Sequence, residues 1–458
     1  MVVDISLHFK SAVKTAFLCS ECGGDFPKWH GQCPACKEWG TVSEFKVSKK
    51  TNKTLDSESR KPISLNEILY DHPEIRIPTK ITEVDRVFGG GLLKGSVILL
   101  GGSPGIGKST LALQIVSGCD INSLYISAEE SESQVGLRAK RLMVSSDKLQ
   151  LSAENQIERI VDYVSLLKPE MIIIDSIQTM FTPGIDSLPG SPNQVRECGQ
   201  KLLQLSKQKE LTIIIIGHVT KDGIIAGPKM LEHMVDTVLY LEGDDRYEHR
   251  ILRSVKNRFG ATNEVGIFLM SSKGLQEVKN PSELFLEERT KNVAGTAIYA
   301  SLEGTRPILV EVQALVSPAN FGTPQRNVNG FDFKRLSMLL AVLEKRMKII
   351  MGAKDVFVNL VGGLKINDPA ADLSIISTVA SSSREKPIDP GIVLIGEVGL
   401  AGEVRSVSQV EKRIHEAKTL GFTIAIVPKS NERTLKPRPK GISIKFVSTV
   451  KETFNILF

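Results

Sequence analysis

The stretch Gly95–Gly118, GSVILLGGSPGIGKSTLALQIVSG, decides the fold. A strand-sized apolar run, Ser96–Leu100, leads directly into the pattern G-x-x-x-x-G-K-S from Gly102 to Ser109. Leu111, Ile115 and Val116 then recur at helical spacing up to Gly118. Strand, glycine loop and helix in this order form the setting in which the pattern cradles phosphate. Gly102, Ser103, Pro104, Gly105, Ile106, Gly107, Lys108, Ser109 and Thr110 make up the expected nucleotide-binding set. Glycines let backbone N–H groups approach the phosphates, Lys108 reaches the β and γ oxygens, and Ser109 ligates Mg²⁺. ATP and Mg²⁺ are the implied ligands.

Outward from this loop, apolar runs recur at the spacing of a parallel sheet: SLYIS (123–127), MIIID (171–175), TIIII (212–216) and TVLYL (237–241). Parallel strands buried on both faces lose the in/out alternation and look like this. A helical pattern lies between two of them at residues 155–167, with Ile157, Ile160, Val161 and Val164 on one face. The fold class is therefore α/β, a sheet sandwiched by helices. Ligand-facing groups belong at the carboxyl ends of such strands. Asp175 ends MIIID and suits the carboxylate that holds Mg²⁺ through water. Glu129 and Glu130 follow SLYIS; Glu129 comes first after the strand and is the chosen residue for polarising the attacking water, a solvated surface pair being the competing reading. His218 follows TIIII and is placed to sense the γ-phosphate.

Towards the N-terminus, CSEC (Cys19, Cys22) and CPAC (Cys33, Cys36) form two C-x-x-C knuckles around a short loop. Four thiolates suit tetrahedral zinc, and the loop is too small to bury a core of its own. Disulfides are disfavoured in a reducing compartment. The polar stretch after the knuckles reads as a flexible linker. The chain of 458 residues has a formal net charge of +6. That mild basicity suits nucleic acid without demanding it. No apolar run reaches membrane-spanning length and no secretory signal opens the chain, so a cytoplasmic protein without a membrane partner is expected.

These motifs resemble those of the RadA/Sms family of bacterial DNA-recombination ATPases. The resemblance is carried by residues 19–36, 86–111, 127–131 and 217–243, by VKNRFG (255–260) and by IGEVGLAGEVRSV (395–407). The segment before Cys19 is longer than the family pattern, which leaves the start codon open. The resemblance implies a zinc ribbon at 1–45, a linker at 46–62, a RecA-like ATPase at 63–285 and a Lon-protease-like α+β domain at 290–458. It also implies a ring, a hexamer by family habit, that moves along single-stranded or branched DNA. Such a ring promotes branch migration in homologous recombination and repair beside a RecA-type recombinase. An ATP-switched adaptor that assembles with a recombinase without translocating is the alternative.

SVKNRFG (254–260) ends one strand and VGIFLM (265–270) begins the next, which places Lys256 and Arg258 near a hairpin tip. Residues two apart in extended chain point the same way. By resemblance to ring helicases with a Lys-x-Arg pair, these cations stabilise the γ-phosphate of a neighbouring subunit; a DNA-phosphate contact is the competing reading. DNA contact is expected from Lys221 and Lys229, which flank the glycines of TKDGIIAGPKM (220–230). From about Asn292 alternating strands and helices resemble the Lon proteolytic domain. Ala370 stands where the nucleophilic serine falls and Glu411 where its lysine falls. Alanine has no oxygen to attack with, so an ATP-dependent peptidase is rejected. The region is expected to act as a scaffold between subunits.

Overall fold

The computed structural model describes residues 15–19, 25–46, 75–218, 229–243, 248–262, 264–287, 289–319, 322–363 and 366–458. Two compact units divide the chain. The first takes Met1–Glu242, Leu252–Thr262 and Met270–Leu275; the second takes Gly243–Ile251, Asn263–Leu269 and Gln276–Phe458.

The phosphate-loop strand β1 (Val97–Gly102) sits inside a parallel sheet with β2 (Ser123–Ser127), β3 (Leu149–Ser152), β4 (Met171–Asp175), β5 (Thr212–His218) and β6 (Thr237–Glu242). Three further strands follow in the chain, β7 (His249–Asn257), β8 (Val265–Ser271) and β9 (Gly274–Glu277), and the order across the sheet is β9-β8-β7-β6-β1-β5-β4-β2-β3. Composition explains the centre. Met171 to Ile174 and Ile213 to Ile216 are buried at every position. β-Branched side chains suit a pleated layer covered on both faces. The covering helices include α1 (Lys108–Gly118), α2 (Glu132–Arg141), α3 (Ile157–Leu167) and α4 (Pro192–Lys209). Local chemistry sets their starts. Ser131 and Gln134 form a capping box ahead of α2, and Ser191 caps α4 with Pro192 in its first turn. The pattern at 155–167 turns helical only at Ile157. The N–H groups of Asn155 and Gln156 donate instead to Glu154 Oε1, both at 2.9 Å.

The ribbon is a three-stranded antiparallel sheet, Thr15–Cys19 lying between Asp25–Phe26 and Val42–Lys46.

In the second unit, β10 (Thr296–Glu303), β11 (Arg306–Pro318), β12 (Arg326–Asn329), β13 (Lys354–Leu360), β14 (Ile392–Leu394), β15 (Ile424–Pro428) and β16 (Ser443–Val447) form one sheet in the order β12-β13-β11-β10-β14-β15-β16. It packs with α5 (Phe333–Met347), α6 (Asp372–Arg384), α7 (Val410–Thr419) and α8 (Val450–Leu457). α7 is amphipathic, with Val410, Ile414 and Ala417 buried. Among the described residues no helix is long and apolar enough to cross a membrane.

Candidate functional site

Strand register gathers the site. His218 at the end of β5 pairs with Gly102 at the end of β1, and Ser127 at the end of β2 pairs with Asp175 at the end of β4. Four carboxyl ends thus open on one side of the sheet. Gly107 precedes α1 at φ 112°, a backbone conformation that demands glycine, and the Met270 side chain packs over it. Lys108 is buried behind this turn and its Nζ donates to the carbonyls of Gly102 and Ser103 at 2.8 and 2.9 Å. Burial lowers its pKa to about 8, while the charges of Asp175 and Glu129 oppose that shift. This set fits Mg²⁺-ATP: Lys108 for the phosphates, with Ser109 and Asp175 as the hydroxyl and carboxylate for the ion.

Asp175 is buried and accepts a 2.6 Å hydrogen bond from Tyr125 Oη. Glu129 Oε1 accepts from Ser176 Oγ and lies 3.2 Å from His218 Nε2. Glu130 points elsewhere. Its carboxylate pairs with Arg138 of α2, and its backbone N–H and carbonyl bind Ser127 Oγ. The two neighbouring glutamates are thereby separated, and only Glu129 meets His218. Gln178 Nε2 donates to the His218 carbonyl at 3.4 Å, while Gln178 Oε1 and His218 Nδ1 are buried without a partner among the described residues. Ser176, Gln178 and Tyr125 are the site residues that motif reading missed. Ser176 had one signal, a hydroxyl directly after the strand-ending aspartate. Tyr125 and Gln178 had none, because their partners lie 50 and 40 residues away.

Lys256 and Arg258 lie at the other end of the sheet. Lys256 Nζ donates to the carbonyls of Glu232, His233 and Val235 at 2.7, 3.2 and 2.8 Å, closing the carboxyl end of the short helix Lys229–Met234. Burial, then the neighbouring Arg258, lowers the Lys256 pKa. Arg258 Nη1 lies 3.2 Å from Asp236 Oδ1, and Asp236 Oδ2 accepts from the N–H of Val97, the first residue of β1. The phosphate loop begins at the last residue of β1. Five residues of extended chain separate these points by about 17 Å. The tip itself is held by Arg76, which donates to the carbonyls of Phe259 and Phe88. A Cβ on Gly260 would stand 2.7 Å from Asn257 Nδ2, which explains glycine at the close of KNRFG. Lys221 and the side chain of Lys229 lie outside the described residues.

In the ribbon, the sulfurs of Cys19, Cys33 and Cys36 all lie within 4.8 Å of one another, and Cys19 Sγ is 3.6 Å from Cys36 Sγ. Tetrahedral zinc with bonds of about 2.3 Å sets its sulfurs about 3.8 Å apart. The three described thiols therefore fit zinc; the fourth, Cys22, lies outside the described residues. His30 packs its ring edge-on to Phe26. Cys33→Ser should strip zinc, measured by atomic absorption, and make the ribbon protease-sensitive. Basal ATP turnover should persist. The other two thiols, Cys119 and Cys198, are buried, which pushes each pKa to about 12 and leaves them inert as nucleophiles.

Ala370 is buried in the second unit, and its N–H donates to Asp368 Oδ1 at 3.0 Å. Asp368 Oδ2 pairs at 2.6 Å with Arg413 Nη2 and accepts from Tyr299 Oη at 2.5 Å. Arg413 is 1% exposed and also donates to the Ala300 carbonyl. The ion pair ties α7 to the turn before Ala370 and the bonds to Tyr299 and Ala300 tie it to β10, and breaking one partner of such a buried pair costs about 3–5 kcal/mol. Glu411 stands exposed on the same helix. The double change Ala370→Ser with Glu411→Lys should therefore leave casein uncleaved, because the bulky network beside position 370 stays in place; fluorescent-casein release checks this.

A phosphate loop on a parallel sheet, joined to a cysteine ribbon and a second α/β unit, defines a P-loop ATPase with a zinc module. Family models agree along the chain: an AAA domain at residues 69–223, a rubredoxin metal-binding domain at 17–44 and the Lon protease (S16) C-terminal proteolytic domain at 344–458. The chain is 48% identical over 448 residues to the DNA repair protein RadA of Bacillus subtilis, covering 96% of this chain and 97% of that one. It is 46% identical to the DNA repair protein RadA of Listeria monocytogenes, covering 97% and 98%. Among solved structures, a KaiC-like protein from Pyrococcus horikoshii aligns with 45% of this chain and 100% of its own, at 19% identity and a TM-score of 0.39. The chain belongs to the RadA family of DNA repair proteins, and its AAA domain makes it an ATPase of DNA repair.

Proposed function

We propose that the protein is a cytoplasmic, ring-forming motor, a hexamer, that hydrolyses ATP between adjoining subunits and moves on single-stranded DNA. Its work is branch migration during homologous recombination, beside a RecA-type recombinase. Lys108, Ser109 and Asp175 hold Mg²⁺-ATP. Glu129 polarises the attacking water, with Ser176 and His218 fixing its carboxylate, and His218 reports the γ-phosphate. Lys256 and Arg258 act on the nucleotide of the next subunit. DNA backbone is held by Lys221 and Lys229. The C-terminal unit is a platform without peptidase activity, and its basic stretches, EKRMK (344–348) and KSNERTLKPRPK (429–440), add positive charge.

One observation carries this reading. Arg258 pairs with Asp236 at the amino end of β1, the end remote from Lys108. A cation pair so placed is remote from its own phosphates, and the Arg258 side chain, 52% exposed, can turn to a neighbour's while Lys256 holds the helix end beside it, which supports a composite centre and hence a ring. The test is ATP turnover with and without oligo-dT, combined with a branch-migration assay on three-stranded substrate. Turnover that rises with DNA, falls steeply with salt and accompanies strand displacement is expected. Turnover indifferent to DNA, with no displacement, would favour the adaptor.

A further inference from the structure

The chain holds two tryptophans, and both stand in solvent on the ribbon: Trp29 is 62% and Trp39 74% exposed. Indoles carry large apolar area and are highly buried on average. Here two of them converge. A Cβ on Gly31 would stand 3.5 Å from Trp29 Cη2 and 3.7 Å from Trp39 Cζ3, so both six-membered rings meet over a residue that has no side chain. The ring of Trp29 and the backbone of Trp39 are both anchored. Trp29 Nε1 donates to the Val42 carbonyl at 2.9 Å, which fixes its ring. Trp39 is joined to Gln32 by an antiparallel bridge, and Gln32 Nε2 donates to the Lys37 carbonyl at 2.8 Å. Surfaces already ordered lose less freedom on binding. Lys28 and Lys37 are exposed nearby, against a single acid, Glu38, over residues 27–40.

We propose that this platform binds single-stranded DNA, its bases stacking on Trp29 and Trp39 and its phosphates meeting Lys28 and Lys37. Every base has a π-face, so such stacking is indifferent to sequence; the pairing of aromatic rings with flanking cations is the pattern by which proteins hold single strands. Protein interfaces are depleted in lysine relative to the rest of the surface, whereas two lysines flank this platform. The site is separate from the segment that carries Lys221, and it gives the ribbon a ligand that the motor reading leaves unassigned.

The composition supplies the probe. With both tryptophans in the ribbon, the emission of the full-length, zinc-loaded protein excited beyond the absorption of its six tyrosines reports this platform alone. Titration with oligo-dT at low salt should quench that emission, with the midpoint seen in the anisotropy of a labelled oligo-dT. Trp39→Ala should retain zinc, weaken oligo-dT binding about tenfold and leave ATP turnover without DNA unchanged. Lys28→Ala with Lys37→Ala should weaken binding less and flatten its salt dependence. Unchanged emission while anisotropy shows the oligonucleotide bound would overturn the stacking site and spare the motor. Emission that responds to a recombinase filament and not to DNA would assign the platform to a protein and equally overturn it. Failure of both signals would remove this proposal and the DNA motor together.

Discussion

Arg258→Ala should leave a folded, ATP-binding protein whose turnover has fallen about a thousandfold or more. The stability side follows from exposure. The Arg258 side chain is 52% exposed, and its described ion pair is with Asp236. Pairs of that kind contribute less than about 1 kcal/mol, so thermal unfolding should hardly move. Asp236→Ala would behave differently, since its second oxygen also accepts from the N–H of Val97. The catalytic side follows from position. If the guanidinium serves the next subunit, the variant keeps an intact phosphate cradle and lacks only what it gives its neighbour. Lys108→Ala has the opposite defect. An equimolar mixture of the two should recover activity at roughly a quarter of its interfaces, those pairing a sound cradle with a sound cation. Turnover of the mixture, measured by phosphate release, checks this. Two inactive variants that stay inactive when mixed, in a preparation shown to exchange subunits, would exclude a shared centre.

Glu129→Gln should bind ATP as well as the parent chain and hydrolyse it some hundred- to ten-thousandfold more slowly. The amide oxygen can still accept from Ser176 and His218, so the local geometry survives while the basic oxygen is lost. Glu130→Gln supplies the contrast. It weakens the ion pair to Arg138 on α2 and should leave turnover within about twofold. Equilibrium binding of a fluorescent ATP analogue, beside single-turnover hydrolysis, separates the two glutamates. Equal losses in both variants would mean that the carboxylates act as a pair and that their opposite orientations have no catalytic weight.

What was legible in the sequence was whatever is local. MIIID and TIIII declare buried parallel strands because β-branched side chains suit a layer covered on both sides, and those strands carry the centre of the sheet. The glycine loop, its lysine and the strand-ending Asp175 follow from one motif in one context. The cysteine knuckles follow from spacing. What stayed hidden depends on residues far apart in the chain. The bond from Tyr125 to Asp175 joins two strands, and the burial of Arg413 against Asp368 and Tyr299 joins three separate segments. Spacing offered two adjacent glutamates after SLYIS and ranked them only by order. Arg138, eight residues on, separates them physically by claiming one. In the ribbon, spacing marked the cysteines but gave no sign that Trp29 and Trp39 both face solvent.

Lys256 grips the last carbonyls of a helix only six residues long, and that helix continues directly from the segment carrying Lys221. In the proposed motor, a nucleic-acid strand tugging on that segment shifts the helix, and the helix shifts the ammonium with it. Fuel use in one subunit is then clutched to the track held by the next. The described part of that linkage is a single short helix, whose last carbonyls the ammonium holds directly.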